Sequence, residues 1–271
     1  MPSSPMPTMD SQRCGRLLTA MPLRVLILGG TSEASALAQR IAHDRRYAPI
    51  LSLAGRTASP RPQPIPTRVG GFGGIEGLVD FLRREAIEAV VDATHPYADQ
   101  MSAHAVAGCA AAGVPLASLV RPEWTRHADD RWRVVGDAEA AARALGAEPR
   151  RVFLSLGRQD VHVFAIAPQH HYLARLIERP EQEGLPPDLR LLQTRGPFDR
   201  DAEERLLREE RIDVVVSRNS GGDATYAKIE AARTLGLPVV MIARPDKPAG
   251  KVITDAEACV AWLHGLAPRG V

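Results

Sequence analysis

The chain has 271 residues, enough for one large domain or two ordinary ones with a real core. Apolar residues make up 45% and charged residues 24%, the profile of a soluble globular protein. The net charge of +2 gives no field to gather nucleic acid or membrane, and the 31 arginines (against 3 lysines) are interleaved with acids, as in R-R-E, E-E-R and R-E-E-R.

Residues 1–21, rich in Pro, Ser and Met, lack the long apolar core of a signal peptide. They are expected to be a disordered tail or the product of a start codon mis-called upstream of Met21. No apolar run approaches the ~18 residues of a membrane span. Cys14, Cys109 and Cys259 are far apart and form no C-x-x-C pair, which argues for a reducing, cytoplasmic setting and against a disulfide frame or a metal site.

From Met21 onward, short apolar runs alternate with helical patterns. Leu23–Leu28 (L-R-V-L-I-L) reads as a strand and Ser32–Ala42 as an amphipathic helix. Further strands are expected near 47–53, 88–93, 115–120 and 131–135, with helices at 74–85, 98–112 and 137–145. The second half keeps this rhythm, with strands at 151–157, 189–194, 212–217 and 238–243 and helices between. Unbroken V/I/L runs mark strands covered on both faces, hence parallel sheets. A faint repeat supports two units: Gly113 to Pro122 (G-V-P-L-A-S-L-V-R-P) matches Gly236 to Pro245 (G-L-P-V-V-M-I-A-R-P) in the placing of Gly, Pro and Arg-Pro. The fold class expected is α/β, with two Rossmann-like lobes of mainly parallel sheet and an active-site cleft between them. The lobes are assigned to 22–145, binding nucleotide, and 146–271, binding substrate.

The first strand runs into Gly29-Gly30-Thr31-Ser32-Glu33 where a helix begins. Two glycines allow a tight turn and a close approach to a ligand, and a helix N-terminus offers free N–H groups to a phosphate. A plain Ser/Thr cap with Glu behind it fits the same residues. The second strand ends in Gly55-Arg56-Thr57 with no acid to hold a ribose. That favours NADPH, with Arg56 at the 2′-phosphate, over NADH or S-adenosylmethionine. Gly71, in G-G-F-G-G (70–74), opens another helix that can lie against the cofactor. No tyrosine is followed four residues on by lysine, so short-chain dehydrogenase chemistry is not indicated. The strand V-V-D (90–92) surfaces in A-T-H-P-Y-A and releases Asp92, Thr94, His95 and Tyr97 together, at the end where ligands of such sheets sit.

With G-G-T-S-E, A-G-R, G-G-F-G-G, D-A-T-H-P-Y-A, R-G-P-F and R-N-S-G-G-x-x-T-Y-x-K in this order, residues 22–265 resemble the precorrin-6A reductase family of cobalamin biosynthesis. The resemblance implies a reductase that uses NADPH to reduce one double bond of a methylated tetrapyrrole, giving precorrin-6B. Arg218 departs from the pattern, since lysine is expected before N-S-G-G. A cobalt-precorrin-6A reductase using NADH is the alternative within the same resemblance. Transient contact with neighbouring pathway enzymes is a further expectation.

Such a substrate carries many carboxylates around a wide, flat ring, so its site should be a broad cleft with arginines and helix N-termini at the rim. Arg121 and Arg244 in the two Arg-Pro turns, with Arg158, Arg195 and Arg218, are the candidates, each one taken singly also reading as a surface charge. Asn219-Ser220-Gly221-Gly222 is expected to be a second anion cradle, with Thr225 and Lys228 one turn on. His95 and Tyr97 are the expected proton donors. Thr94 is placed beside the cofactor, and Asp92 is read as a group that caps or orients a neighbour. His170 and His171 read as structural or rim residues. Two rival classes are a nucleotide-sugar transferase, which also has two facing lobes, and a non-catalytic tetrapyrrole or nucleotide carrier.

Overall fold

The computed structural model describes residues 21–55, 61–180, 183–248 and 250–267. Arg56 and residues 1–20 lie outside them. Two six-stranded sheets, each parallel throughout, carry helices on their faces.

The first sheet is built on β1 (Leu23–Leu28), flanked by β2 (Tyr47–Leu53) and β4 (Ala89–Asp92), with β3 (Thr67–Val69), β5 (Leu116–Leu119) and β12 (Lys251–Ile253) outward. Val25, Leu26 and Ile27 have no exposed surface because both faces of β1 are covered, which is why the run is unbroken rather than alternating. α1 (Ser32–Ile41) and α7 (Ala256–Leu266) pack on one face, α2 (Gly74–Arg84) and α3 (Asp99–Ala112) on the other.

The second sheet repeats the plan around β7 (Arg151–Ser155), with β8 (His171–Leu176), β9 (Leu189–Gln193), β10 (Val214–Arg218), β11 (Pro238–Ile242) and β6 (Arg131–Val135). Its helices are α4 (Ala138–Ala144), α5 (Arg200–Glu209) and α6 (Ala227–Thr234). Five strands of each lobe, β3-β2-β1-β4-β5 and β9-β8-β7-β10-β11, follow the same Rossmann order, and the sixth place is taken by β12 in the first sheet and by β6 in the second. The repeat seen in sequence is therefore structural. Gly113 (φ 69°) and Gly236 (φ 64°) end α3 and α6 in the left-handed conformation that favours glycine, and β5 and β11 follow.

Sheet membership moves the lobe boundary away from 145/146. β6 pairs with β11 and belongs to the second sheet, while β12 pairs with β5 and returns the chain's last strand and helix to the first. Three-residue strands such as β3 and β12 carry too little pattern to be read, and only their pairing reveals them. The chain thus passes between lobes twice, through residues 120–130 and 243–250, and these two crossovers touch. Arg244 donates from Nε to Asn219 O (2.7 Å), from Nη1 to Arg121 O (2.8 Å) and from Nη2 to Pro122 O (3.1 Å).

Gly221 sits in this knot at φ 66°, where a Cβ would lie 2.1 Å from Pro122 O. Gly184 has a similar φ of 74° but open space around it. Gly221→Ala should lower the unfolding free energy by roughly 2–4 kcal/mol and Gly184→Ala by about 1 kcal/mol, strain alone accounting for the smaller loss. Urea midpoints measure both, and equal shifts would mean that the close backbone approach is unimportant.

Candidate active site

The carboxyl ends of both sheets open onto one cleft of about 1610 Å³. A site for a single small ligand spans roughly 300–1,000 Å³, so this cleft has room for two. Strand order reverses between β1 and β4 in one lobe and between β7 and β10 in the other, and the loops leaving those four strands form opposing walls.

The glycine turn is the floor of the first wall. Gly29 is tight, since a Cβ would lie 2.6 Å from Leu51 Cδ1, and Gly30 adopts φ 123° with nothing beside it. Thr31 caps α1, its Oγ1 accepting the Ala34 N–H (3.2 Å) and donating to Ala93 O (2.8 Å). This ties the turn to the end of β4 and leaves the Ser32 and Glu33 N–H groups as open donors of the first helical turn. Gly29, Gly30, Thr31 and Ser32 all line the cleft, and so does Gly71 from the facing loop. Open donors, a helix N-terminus and glycines without Cβ atoms fit a dinucleotide phosphate. Glu33 does not join them, because its carboxylate is paired with Arg121 Nη1 at 2.8 Å.

Where β4 surfaces, Asp92 is 1% exposed and fully engaged. Its Oδ1 accepts the Thr94 N–H (3.1 Å) and the Thr94 hydroxyl (2.6 Å), and its Oδ2 accepts the Ser102 hydroxyl (2.6 Å) and Lys247 Nζ (3.4 Å). It orients neighbours, as expected. Thr94 and His95 line the cleft. His95 Nδ1 accepts the Tyr97 N–H at 3.3 Å, which puts the proton of a neutral ring on Nε2.

Tyr97 is a correction. Its ring lines the cleft, but its hydroxyl donates to Ile242 O (2.6 Å) and accepts the Asn219 N–H (2.8 Å) from the other lobe. Burial pushes its pKa up to about 12. A phenol with its proton committed to a carbonyl and its acidity suppressed is a lobe-to-lobe tie, not a proton donor.

On the second wall Arg158, Arg195 and Arg218 line the cleft, with Thr225. Arg158 pairs with Glu178 at 3.1 Å, and Arg218 pairs with Asp160 while its guanidinium stacks 4.8 Å from the Tyr97 ring centre. The remaining expected substrate residues lie elsewhere. Arg121 gives Nε to Ser220 O (2.7 Å) and Nη1 to Glu33, so it closes the crossover knot. Asn219 is buried, its side chain accepting the Trp124 N–H (2.8 Å) and donating to Glu123 (3.1 Å). The Ser220 carbonyl accepts from the Arg121 side chain and Gly221 packs on the Pro122 carbonyl, so the expected second anion cradle is instead the seam of the crossover. Lys228 is 3% exposed, donates to Thr225 O (2.6 Å) and lies over Trp124. Burial lowers its pKa to about 7, and it makes no wall of the cleft. His170 is wholly buried and His171 is exposed beside Asp188.

Two residues escaped the sequence reading. Arg68 donates to Gly70 O (2.9 Å) and Gly71 O (3.0 Å) and stacks on Phe72 (4.2 Å), shaping the glycine loop that lines the cleft. An arginine two residues before a Gly-Gly pair was its only signal. Lys247 comes from the second crossover, far from Asp92 in sequence, and only folding reveals it.

A sequence model described as precorrin-6x reductase CbiJ/CobK matches residues 24–264. A precorrin-6A reductase from Rhodobacter capsulatus is 51% identical over 92% of this chain and 99% of that one. One from Mycobacterium tuberculosis is 43% identical over 91% and 99%. A solved structure titled CobK precorrin-6A reductase superposes with a TM-score of 0.85 at 51% identity, covering 92% of this chain and 99% of that one. Matched over nearly its whole length in sequence and in fold, the chain belongs to the precorrin-6x reductase family.

Proposed function

We propose that this chain reduces one double bond of precorrin-6A to give precorrin-6B, taking hydride from NADPH seated along the first lobe. The observation that carries the reading is the pair of facing switch points, one walled by open N–H donors and the other by arginines, in a member of this family. A transferase or a passive carrier would share the cleft but not the family.

When bound, the reduced nicotinamide supplies the hydride. The protein's part is to hold two anionic ligands face to face, which lowers the barrier through orientation. The N-terminus of α1 takes the dinucleotide phosphate. Arg158, Arg195 and Arg218 take carboxylates of the macrocycle, and Glu178 and Asp160 keep two of those guanidinium groups aimed before substrate arrives. His95, with its proton on Nε2, supplies the proton that follows the hydride.

NADPH over NADH is supported by the end of β2, where Ala54 and Gly55 offer no carboxylate to a ribose 2′-hydroxyl and Arg56 follows in sequence. A metal-free substrate is supported by identity: precorrin-6A reductases match at 43–51%, whereas a cobalt-precorrin-6A reductase from Salmonella typhimurium matches at 30%.

Anaerobic turnover followed at 340 nm, with metal-free and cobalt-loaded substrate and with each nicotinamide, tests the whole reading. Metal-free substrate with NADPH should react fastest, and a protein that binds both ligands without oxidising the cofactor would end the proposal. Arg56→Ala should weaken NADPH about 10-fold or more and leave NADH nearly unchanged, as expected for loss of a charge-assisted contact. Equal loss for both cofactors removes Arg56 from the 2′-phosphate. His95→Ala should lower kcat by about 100-fold with cofactor affinity retained. An unchanged kcat takes His95 out of the reaction.

A further inference from the structure

Asp92 raises a physical question that its neighbours answer. A carboxylate 1% exposed beside a site for two polyanions is unfavourable on both counts, through lost solvation and through repulsion. Four donors compensate it, and three of them come from its own lobe. The fourth, Lys247 Nζ, arrives from the crossover that brings the chain back from the second lobe. Lys247 is itself 15% exposed at its side chain and also donates to Ser102 Oγ at 2.5 Å. The hydrogen-bond directions are therefore fixed as a chain. The ammonium donates to Ser102, Ser102 donates to Asp92 Oδ2, and Thr94 donates to Asp92 Oδ1.

The consequence falls on Thr94, which lines the cleft next to the turn that Thr31 ties to Ala93. With its only hydrogen given to Asp92 at 2.6 Å, the Thr94 hydroxyl has nothing but lone pairs left to offer a ligand. We propose that Lys247 is a positioning residue for cofactor binding: by anchoring Ser102 and Asp92 it fixes the carboxylate to which Thr94 donates, and so keeps Thr94 a pure acceptor for a hydrogen-bond donor of the dinucleotide, either the carboxamide NH2 or a ribose hydroxyl. Without the ammonium, Ser102 and Asp92 lose the donor that holds them in place. The Thr94 lone pairs then lose the fixed direction meant for the ligand. The inference rests on the reading that the first lobe seats a nicotinamide dinucleotide.

The test is a double-mutant cycle on dinucleotide affinity, measured by fluorescence titration with NADPH and, in parallel, with ADP-ribose, which lacks the nicotinamide. Lys247→Met should weaken NADPH about 10-fold, the worth of one hydrogen bond in a desolvated site. In an Asp92→Asn background, where no charge needs compensation, the same substitution should change affinity less than about 2-fold. A loss confined to NADPH assigns the donor to the carboxamide, and a loss shared with ADP-ribose assigns it to a ribose hydroxyl. A purely structural role would lower the melting temperature in both backgrounds and cost affinity additively, which would overturn the proposal, as would an unchanged NADPH affinity in Lys247→Met. Should that variant fail to fold, Thr94→Val carries the test, because wild-type affinity without the hydroxyl would equally refute it. Wild-type protein that binds no dinucleotide at all would instead defeat the functional reading on which this rests.

Discussion

One guanidinium pins the two crossovers between the lobes to each other. Arg244 gathers the carbonyls of Asn219, Arg121 and Pro122, which belong to the loop after β10 and to the other crossover. Hydrogen bonds from a charged donor contribute about 1.5–3 kcal/mol each, and the planar fork fixes direction as well as distance. Tyr97 extends the same knot into the first lobe by bridging Ile242 O and the Asn219 N–H. Because Tyr97 stands two residues from His95, the contact that ties the lobes also sets a loop that faces the cleft. Cleft width and site geometry are one constraint, and this is why residues expected at the substrate turned out to be the hinge of the architecture.

The cleft presents two kinds of positive potential on its two walls. The first wall uses the partial charge of a helix N-terminus and backbone N–H groups, which suits a phosphate held at fixed geometry. The second uses arginines, whose forks match carboxylates. Full positive charges crowded on a bare wall would repel one another, and the acids Asp160 and Glu178 relieve this while leaving the guanidinium groups partly exposed. Asp92 shows the reverse arrangement, an acid buried beside the cleft and compensated from behind by Lys247.

Periodicity made most of the fold legible. Nine strands and four helices could be bounded to within a few residues, because unbroken apolar runs and Gly-ended helices have local causes, and the recurring G-x-P…R-P stretch marked the second lobe. What sequence could not carry was pairing. Nothing in R-W-R-V-V (131–135) or K-V-I (251–253) says which sheet edge it will join, so the lobe boundary was misplaced. The site divided in the same way. The glycine turns and the β4 mouth do lie at the cleft, because a strand end and a helix start fix them locally. Tyr97, Asn219 and Arg121 were assigned to ligands because their partners lie 88 to 145 residues away along the chain. Conspicuous polar residues at strand ends serve either a ligand or the other lobe, and composition does not separate the two.

The arginine bias becomes informative through its exceptions. Where a chain places 31 arginines and 3 lysines, each lysine marks a position that an arginine serves badly. Lys228 lies against Trp124 and the Thr225 carbonyl, and Lys247 against Ser102 and Asp92, and in both places a compact ammonium serves as a point charge. Lys251 lies exposed on β12, the outer strand of the first sheet, where a long, flexible, strongly hydrated charge discourages a second chain from adding to the open edge. Three lysines thus perform two tasks, internal point charge and edge guard, and neither task is one that the arginines of the cleft could take over.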